Sequence, residues 1–398
     1  MMLALGFVGM AGALSTDLYL PAFPDIQADL GVPVAAVQLT LTAFLVGSAI
    51  GQFVIGILSD AWGRRRTLLG ALSLFALAGF AAALAPDIAV LVACRFAQGL
   101  FGAAGAALAR AVVSDLANGP RAVRGMSALI AMMGLGPALG SPLGALLTGW
   151  AGWRATLTGL AVIAVLMVVV AALVIRESLP RERRHPPRIG ALLRTAGRLA
   201  RDGVFLSCAF AFALSYAAFV VYLGASSFVV QTVFGADALT YALTFSASSV
   251  SFVAGALGNG LVAARIGADR ALAVAQTVAV GAALALAVCA LTGVLSLPLW
   301  ITGVCVFAVG VAASMSNASA LTIGRAVGMA GAGSAVLGLT QFLCGALAAV
   351  WGGIGGTASA TPTVLGMLLT IVLAAVAGAL GRRGVRAGRA EAGQGRGR

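Results

Sequence analysis

The chain reads as an all-α integral membrane protein of twelve transmembrane helices in two six-helix bundles, and three observations predict this. Of its 398 residues, 61% are hydrophobic and 9% charged, with a mean hydropathy of +1.05, far from the composition of a soluble globular domain. Apolar stretches of the ~20 residues that cross a bilayer recur about twelve times. The basic residues, all 25 of them arginine, fall in short clusters that favour alternate gaps between those stretches.

Taken in order, the spans fall near 2–23, 39–59, 67–86, 88–111, 126–149, 155–175, 204–229, 240–263, 271–292, 297–318, 333–352 and 362–381. Residues 2–23 are expected to be a retained first span, because Met1-Met2-Leu3-Ala4-Leu5 lacks the basic leader of a signal peptide. Only Pro86-Asp87 separates spans 3 and 4, and a Thr361-Pro362 break starts span 12. Loops after even-numbered spans and the tail carry 22 of the arginines; loops after odd-numbered spans carry Arg154 alone. Basic loops stay on the cytoplasmic side, so both termini are expected there. The polar stretch 176–202, which includes His185, splits the chain into an N-terminal bundle (1–175), a cytoplasmic linker, a C-terminal bundle (203–381) and a basic tail (382–398). Gly56, Gly63 and Arg66 recur 204 residues later as Gly260, Gly267 and Arg270, the mark of a duplicated six-helix unit.

Several function classes are excluded by residue type. The net charge of +13 belongs to loop clusters rather than to a folded basic domain, so no nucleic-acid partner is expected. Cys94, Cys208, Cys289, Cys305 and Cys344 stand singly in apolar segments without metal or redox spacing, so no metal and no cofactor are expected. No His, Cys or Ser constellation lies at a catalytic depth, which argues against an enzyme.

Asp17 is the one acid at membrane depth, and an intramembrane carboxylate is by default a functional residue. Arginine does not release its proton, and His185 lies in the linker, so Asp17 is the candidate proton carrier. Arg95 in span 4 lies about seven residues, roughly 10 Å, below the same boundary that Asp17 lies about six residues, roughly 9 Å, below, and pairing of the two is expected. Arg95, Gln98, Gly99, Gly102 and Ala106 share one helical face. Gly136, Gly140 and Gly144 recur every four residues beside Pro137 and Pro142, which makes a groove for a neighbouring helix in a kinked segment. Tyr19, Gln38, Gln52, Gln98, Phe212, Tyr216, Phe219, Tyr222, Asn317 and Gln341 are candidate cavity residues, the aromatics being expected as packing ahead of ligand contact.

Gly56 to Arg66, with Asp60 one turn before Arg64, resembles the signature loop of the major facilitator superfamily between spans 2 and 3. Arg95 with Gln98-Gly99 resembles its second motif, and Gly134 to Gly144 the motif of its drug/proton antiporters, with Met132 and Ser141 where that pattern has glycine. Together with Asp17-Leu18-Tyr19-Leu20-Pro21, Glu177-Ser178-Leu179-Pro180 and Ser316-Asn317-Ala318, the chain resembles the Bcr/CflA (bicyclomycin/chloramphenicol-resistance type) branch.

That resemblance implies a monomeric, proton-coupled exporter of drug-like compounds in the bacterial cytoplasmic (inner) membrane. It implies a loop of Gly56, Asp60, Gly63, Arg64, Arg66 and Asp115 that latches one access state. Import or facilitated diffusion of a sugar or other nutrient is the alternative. The chain departs from the branch at Gly9, where some drug antiporters have a second acid, and at Ser114, where an arginine commonly precedes the acid matching Asp115.

Overall fold

A computed structural model of the chain describes residues 1–116, 129, 132, 135–180, 197–199, 201–326, 330–351 and 359–395, with the backbone alone at 114, 135, 137–138, 330–332 and 385–395. Arg121, Arg124, Gly134 and most of the expected linker, including His185, lie outside the described residues. Among the described residues every regular element is a helix.

The first span is built from pieces. α1 (Met2–Gly9) and α2 (Ala11–Asp17) meet at Met10, a 3-10 turn covers Leu20–Ala22, and α3 (Phe23–Leu30) closes on Gly31 in the left-handed region. Pro21 and Pro24 remove two amide donors just after Asp17, and each sits in the first turn of its own segment, where the missing N–H breaks no intrahelical bond. The span therefore extends to Leu30 rather than to the expected residue 23.

α4 (Val34–Trp62), α5 (Arg64–Ala83) and α6 (Ile88–Leu116) follow. α7 (Leu135–Val174) has 40 residues, about twice a single crossing, and its backbone leaves the helical region at Ala151 and Gly152. Its two arms are spans 5 and 6. α8 (Gly203–Phe228) ends in a π-helical turn at Val229–Val233. The remainder is α9 (Ala238–Ile266), α10 (Ala268–Leu291), α11 (Leu297–Arg325), α12 (Ala330–Trp351) and α13 (Thr361–Gly395). Eleven helical segments among the described residues are long and apolar enough to cross a membrane, and the break in α7 makes twelve crossings. α13 runs well past the expected residue 381, through the arginine-bearing tail to Gly395.

The chain forms two compact units. The first comprises Met1–Ile189, Leu223–Ala247 and Ala349–Ala360; the second comprises Gly190–Tyr222, Ser248–Ala348 and Thr361–Arg398. In the first unit α4 and α6 touch backbone to backbone. A β-carbon on Gly47, Gly51 or Gly99 would run into the carbonyl of Phe96, Leu100 or Phe44 respectively, the close approach that small residues permit between membrane helices. Beside this seam Leu68, Leu72, Phe75, Leu108, Val112 and Leu160 form a fully buried core. In the second unit Gly310 brings α11 against Ala279 of α10, and Gly255 brings α9 against Val309 of α11.

The backbone repeats with the offset seen in the sequence. Gly63 (φ 95, ψ 155) starts α5, and Gly267 (φ 83, ψ 151), 204 residues on, starts α10. Gly31 (φ 62) and Gly235 (φ 65) share the same separation. The Gly63 and Gly267 conformation is open essentially to glycine alone, and a side chain there costs about 1–3 kcal/mol. Gly63→Ala and Gly267→Ala should each lower the thermal unfolding midpoint of the detergent-solubilised protein. Gly56→Ala and Gly260→Ala, with open space around both positions, should be neutral or stabilising by up to about 1 kcal/mol in the same measurement.

Candidate functional site

In the first unit a knot of polar and aromatic groups forms where α2 ends. Arg95 projects from α6 and is fully buried. Its Nη1 donates to Ser15 Oγ (2.9 Å) and Gln98 Oε1 (2.8 Å), and its Nη2 donates to the Ser15 carbonyl (2.9 Å). The guanidinium lies 4.3 Å from the Tyr19 ring centroid and 4.7 Å from that of Phe44, a cation–π arrangement strengthened by desolvation. Tyr19 is fixed in turn by donation of its hydroxyl to Thr40 Oγ1 (3.0 Å), which donates to the Val37 carbonyl (2.6 Å).

The expected Asp17–Arg95 ion pair is not formed; Arg95 spends its bonds on Ser15 and Gln98. The reason is azimuth. Ser15 and Tyr19 are four residues apart and share a face, whereas Asp17, two residues from each, points roughly 200° round the axis. Its side chain, 5% exposed, instead meets α7. A β-carbon on Gly140 would sit 3.1 Å from Asp17 Cβ, one on Gly136 would sit 3.3 Å from Ala13 Cβ, and one on Gly144 would run into the Leu18 carbonyl. The three glycines of the antiporter-type stretch are thus the surface on which the Asp17 segment rests. Pro137 lies on the same helix. Ser141, one of the two positions where that stretch lacks glycine, is fully buried, and its hydroxyl has no partner among the described residues.

The other cavity candidates are distributed differently. Gln98 serves Arg95. Gln38 is fully buried and donates to the Gly224 carbonyl (2.6 Å), while a β-carbon on Gly224 would collide with its Oε1. Gln52 is half-buried. In the second unit Phe212 packs into the cores around Phe205 and Cys208. Tyr216 meets Phe342 edge-on at 5.8 Å, and Phe219 packs on Phe252 at 4.9 Å. Tyr222 shares a hydrogen bond with Ser248 (2.9 Å). Asn317 and Asn259 exchange amide hydrogen bonds of 2.7 and 3.2 Å between α9 and α11. Gln341 is half-buried on α12. The polar members Asn317 and Tyr222 thus serve as interhelical glue.

The loop between α4 and α5 gathers most of its expected members around Arg64. Arg64 bonds Asp60, Asp115 (3.1 Å) and Ser59 Oγ (2.6 Å). Arg66 is exposed and stands outside this cluster, and Gly56 has no close neighbour. Four further participants join it. Glu177 Oε1 accepts the Arg64 backbone N–H (2.9 Å), a carboxylate cap on the start of α5. Ser178 Oγ donates to Asp115 (2.9 Å). Arg65 donates to the Ala172 and Ile175 carbonyls at the end of α7 (2.7 and 2.9 Å), and Ser59 completes the set. The adjacency of Glu177 to the end of span 6 was the available signal for this contact.

Twelve crossings, with a buried arginine at depth in the first unit and an ion-paired loop between α4 and α5, define a multi-pass membrane protein. The family model of the Major Facilitator Superfamily matches residues 5–349, and the chain belongs to that family. It is 36% identical over 253 residues to an uncharacterized MFS-type transporter, YdgK, of Bacillus subtilis (strain 168), covering 63% of each chain, just under two thirds of that relative's length. It is 27% identical over 276 residues to a bicyclomycin resistance protein homolog of Haemophilus influenzae, covering 69% of each. A bacterial homolog to the human lysosomal transporter Spinster shares its fold, with a TM-score of 0.73 over 97% of this chain and 96% of that one at 14% identity.

The α2–α7 contacts rank three substitutions. Gly144→Ala places a methyl against backbone and should cut transport and folded yield most, Gly140→Ala should do so less, and Gly136→Ala should be tolerated. Monodisperse yield and flux of the three variants, measured together, check this order.

Proposed function

We propose that the chain is a proton-coupled exporter of small, moderately lipophilic compounds that works by alternating access, with Asp17 as the proton carrier. The observation that carries this reading is the setting of Asp17. It lies inside the first span, whose other acids, Asp25 and Asp29, are exposed toward the far end, it is nearly inaccessible, and its β-carbon lies beside Gly140 of the antiporter-type helix while Arg95 bonds Ser15 and Gln98. The bicyclomycin resistance protein homolog among the relatives supports a drug-like substrate. Arginine placement supports two cytoplasmic termini in a bacterial inner membrane. A monomeric exporter is the reading that the family resemblance supports. Arg64 with Asp60 and Asp115 would act as the latch of one access state. The driving force is about 2.3 kcal/mol per charge per 100 mV, and about 1.4 kcal/mol per pH unit.

In proteoliposomes with an imposed pH gradient, Asp17→Asn should abolish drug-dependent proton movement, and Asp17→Glu should retain part of it. Coupling undiminished in Asp17→Asn would overturn the assignment.

A further inference from the structure

The first unit takes in the end of span 7, since Leu223–Ala247 belongs to it. Two amides hold that end. Gln38, fully buried one turn into α4, donates Nε2 to the Gly224 carbonyl (2.6 Å). Gln231, in the π turn that follows α8, donates Nε2 to the Pro21 carbonyl (3.2 Å) and to Ser227 Oγ (2.7 Å). The buried rings of Phe23 and Phe228 meet beside them at 6.1 Å. Every donor and acceptor in these bonds is neutral, and both acceptors on a different span from the donor are backbone carbonyls. Gln38 and Asp60 stand 22 residues apart on α4, roughly 33 Å. The amides and the charged cluster around Arg64 therefore sit at opposite ends of one helix.

Both partners are wound irregularly where they meet. Pro21 lies in the 3-10 turn Leu20–Ala22, and Gln231 lies in the π turn Val229–Val233, where the Phe234 N–H reaches back five residues to the Val229 carbonyl (3.0 Å). A 3-10 stretch within a span and a π turn are typical of hinges and functional sites. The 204-residue repeat aligns Val229–Val233 with Asp25–Asp29, which is α-helical. The π winding is thus not inherited from the repeated unit; it occurs where span 7 reaches Pro21.

We propose that Gln38 and Gln231 form an uncharged clasp joining span 7 to spans 1 and 2, and that Leu20–Ala22 and Val229–Val233 are the turns that give when it opens. Its place in transport rests on the alternating-access reading above, in which it opens once per cycle. Amide bonds to backbone carbonyls are insensitive to ionic strength, whereas exposed charge pairs are screened. The two ends of α4 should therefore respond differently to salt.

The test is hydrogen exchange, read by mass spectrometry, of the purified full-length protein in detergent without drug or proton gradient. In the wild type, residues 18–26 and 227–236 should exchange faster than the glycine seam of α4 with α6 around Gly47 and Gly99. Gln38→Leu and Gln231→Leu should each speed both stretches together by about tenfold, the loss of one hydrogen bond to a buried acceptor. The seam should keep its wild-type protection in both variants. Raising NaCl from ~0.05 M to ~0.5 M should leave the two stretches unchanged and speed exchange at residues 59–66. Wild-type protection equal to that of the seam, unchanged exchange in Gln231→Leu, a rise that spreads equally to the seam, or a salt-driven rise at 227–236 would each overturn the clasp. If Gln38→Leu does not fold, the half-buried Gln231→Leu and the salt series still decide. Because exchange is read without flux, undiminished proton coupling in Asp17→Asn would sink the coupling assignment and leave the clasp standing.

Discussion

A guanidinium at membrane depth with no exposed surface has to find every partner inside the protein, and the burial of Arg95 organises the first unit accordingly. Removing such a charge from water costs several kcal/mol even after relaxation, so its environment has to be assembled with little slack. Two of its bonds go to Ser15, one of them to a backbone carbonyl, and one goes to Gln98 a turn away on its own helix. The flanking rings come from two other segments, Tyr19 beyond α2 and Phe44 on α4. Three chain segments must therefore converge within hydrogen-bond or ring-contact distance. α4 and α6 reach that separation because Gly47, Gly51 and Gly99 remove the side chains between them. The glycine seam and the buried charge are one feature seen at two levels, packing that makes the site possible and a site that justifies the packing.

The loop side of the unit follows a related logic with water available. Isolated surface ion pairs contribute little, but Arg64 is 13% exposed and Asp115 20%, and their contact is one strand of a network. Glu177 caps the first turn of α5 while Arg65, the next residue along, supplies donors to the last carbonyls of α7. Each helix end thus satisfies the orphan groups of the other. The start of α5 is tied to the exit of α7 by backbone as well as side-chain groups, so movement of one carries the other. Ser178 extends the tie to α6 through Asp115.

How much of this was legible in the sequence depends on which coordinate a feature needs. Depth is one-dimensional, and hydropathy reads much of it: the twelve crossings and the break between spans 5 and 6 follow from counting residues, whereas the depth of Asp17 was counted from residue 23 and the span runs on to Leu30. Azimuth needs helix phase, and there the level-based pairing failed, because Ser15 and Tyr19 face Arg95 and Asp17 faces away. Phase arithmetic on residues 15, 17 and 19 contained that signal, but the neighbour on each side of the helix did not follow from it. Gln38 illustrates a further gap. An amide at depth reads as a ligand contact, yet its partner is the carbonyl of Gly224, 186 residues away, and a backbone acceptor leaves no trace in residue type. The extra length of the first span was concealed by Pro21 and Pro24, which mark an end only when they fall inside a turn rather than at its start.

Separating Asp17 from Arg95 has an energetic consequence for the proposed cycle. In a buried ion pair, protonating the acid leaves its partner uncompensated, and loss of one member costs about 3–5 kcal/mol. Arg95 here is satisfied by neutral acceptors and rings, so a proton can join or leave Asp17 without dismantling the arginine's bonds. What responds instead is the seam with α7, where Gly140 lies against the Asp17 side chain and Gly144 against the adjoining carbonyl. A group whose charge and solvation change there acts directly on the fit between α2 and α7. The two motifs that stood apart in the sequence, an acid in the first span and a glycine ladder in the fifth, are thereby two sides of one contact, and in the proposed cycle proton occupancy would act on that contact rather than on the cation.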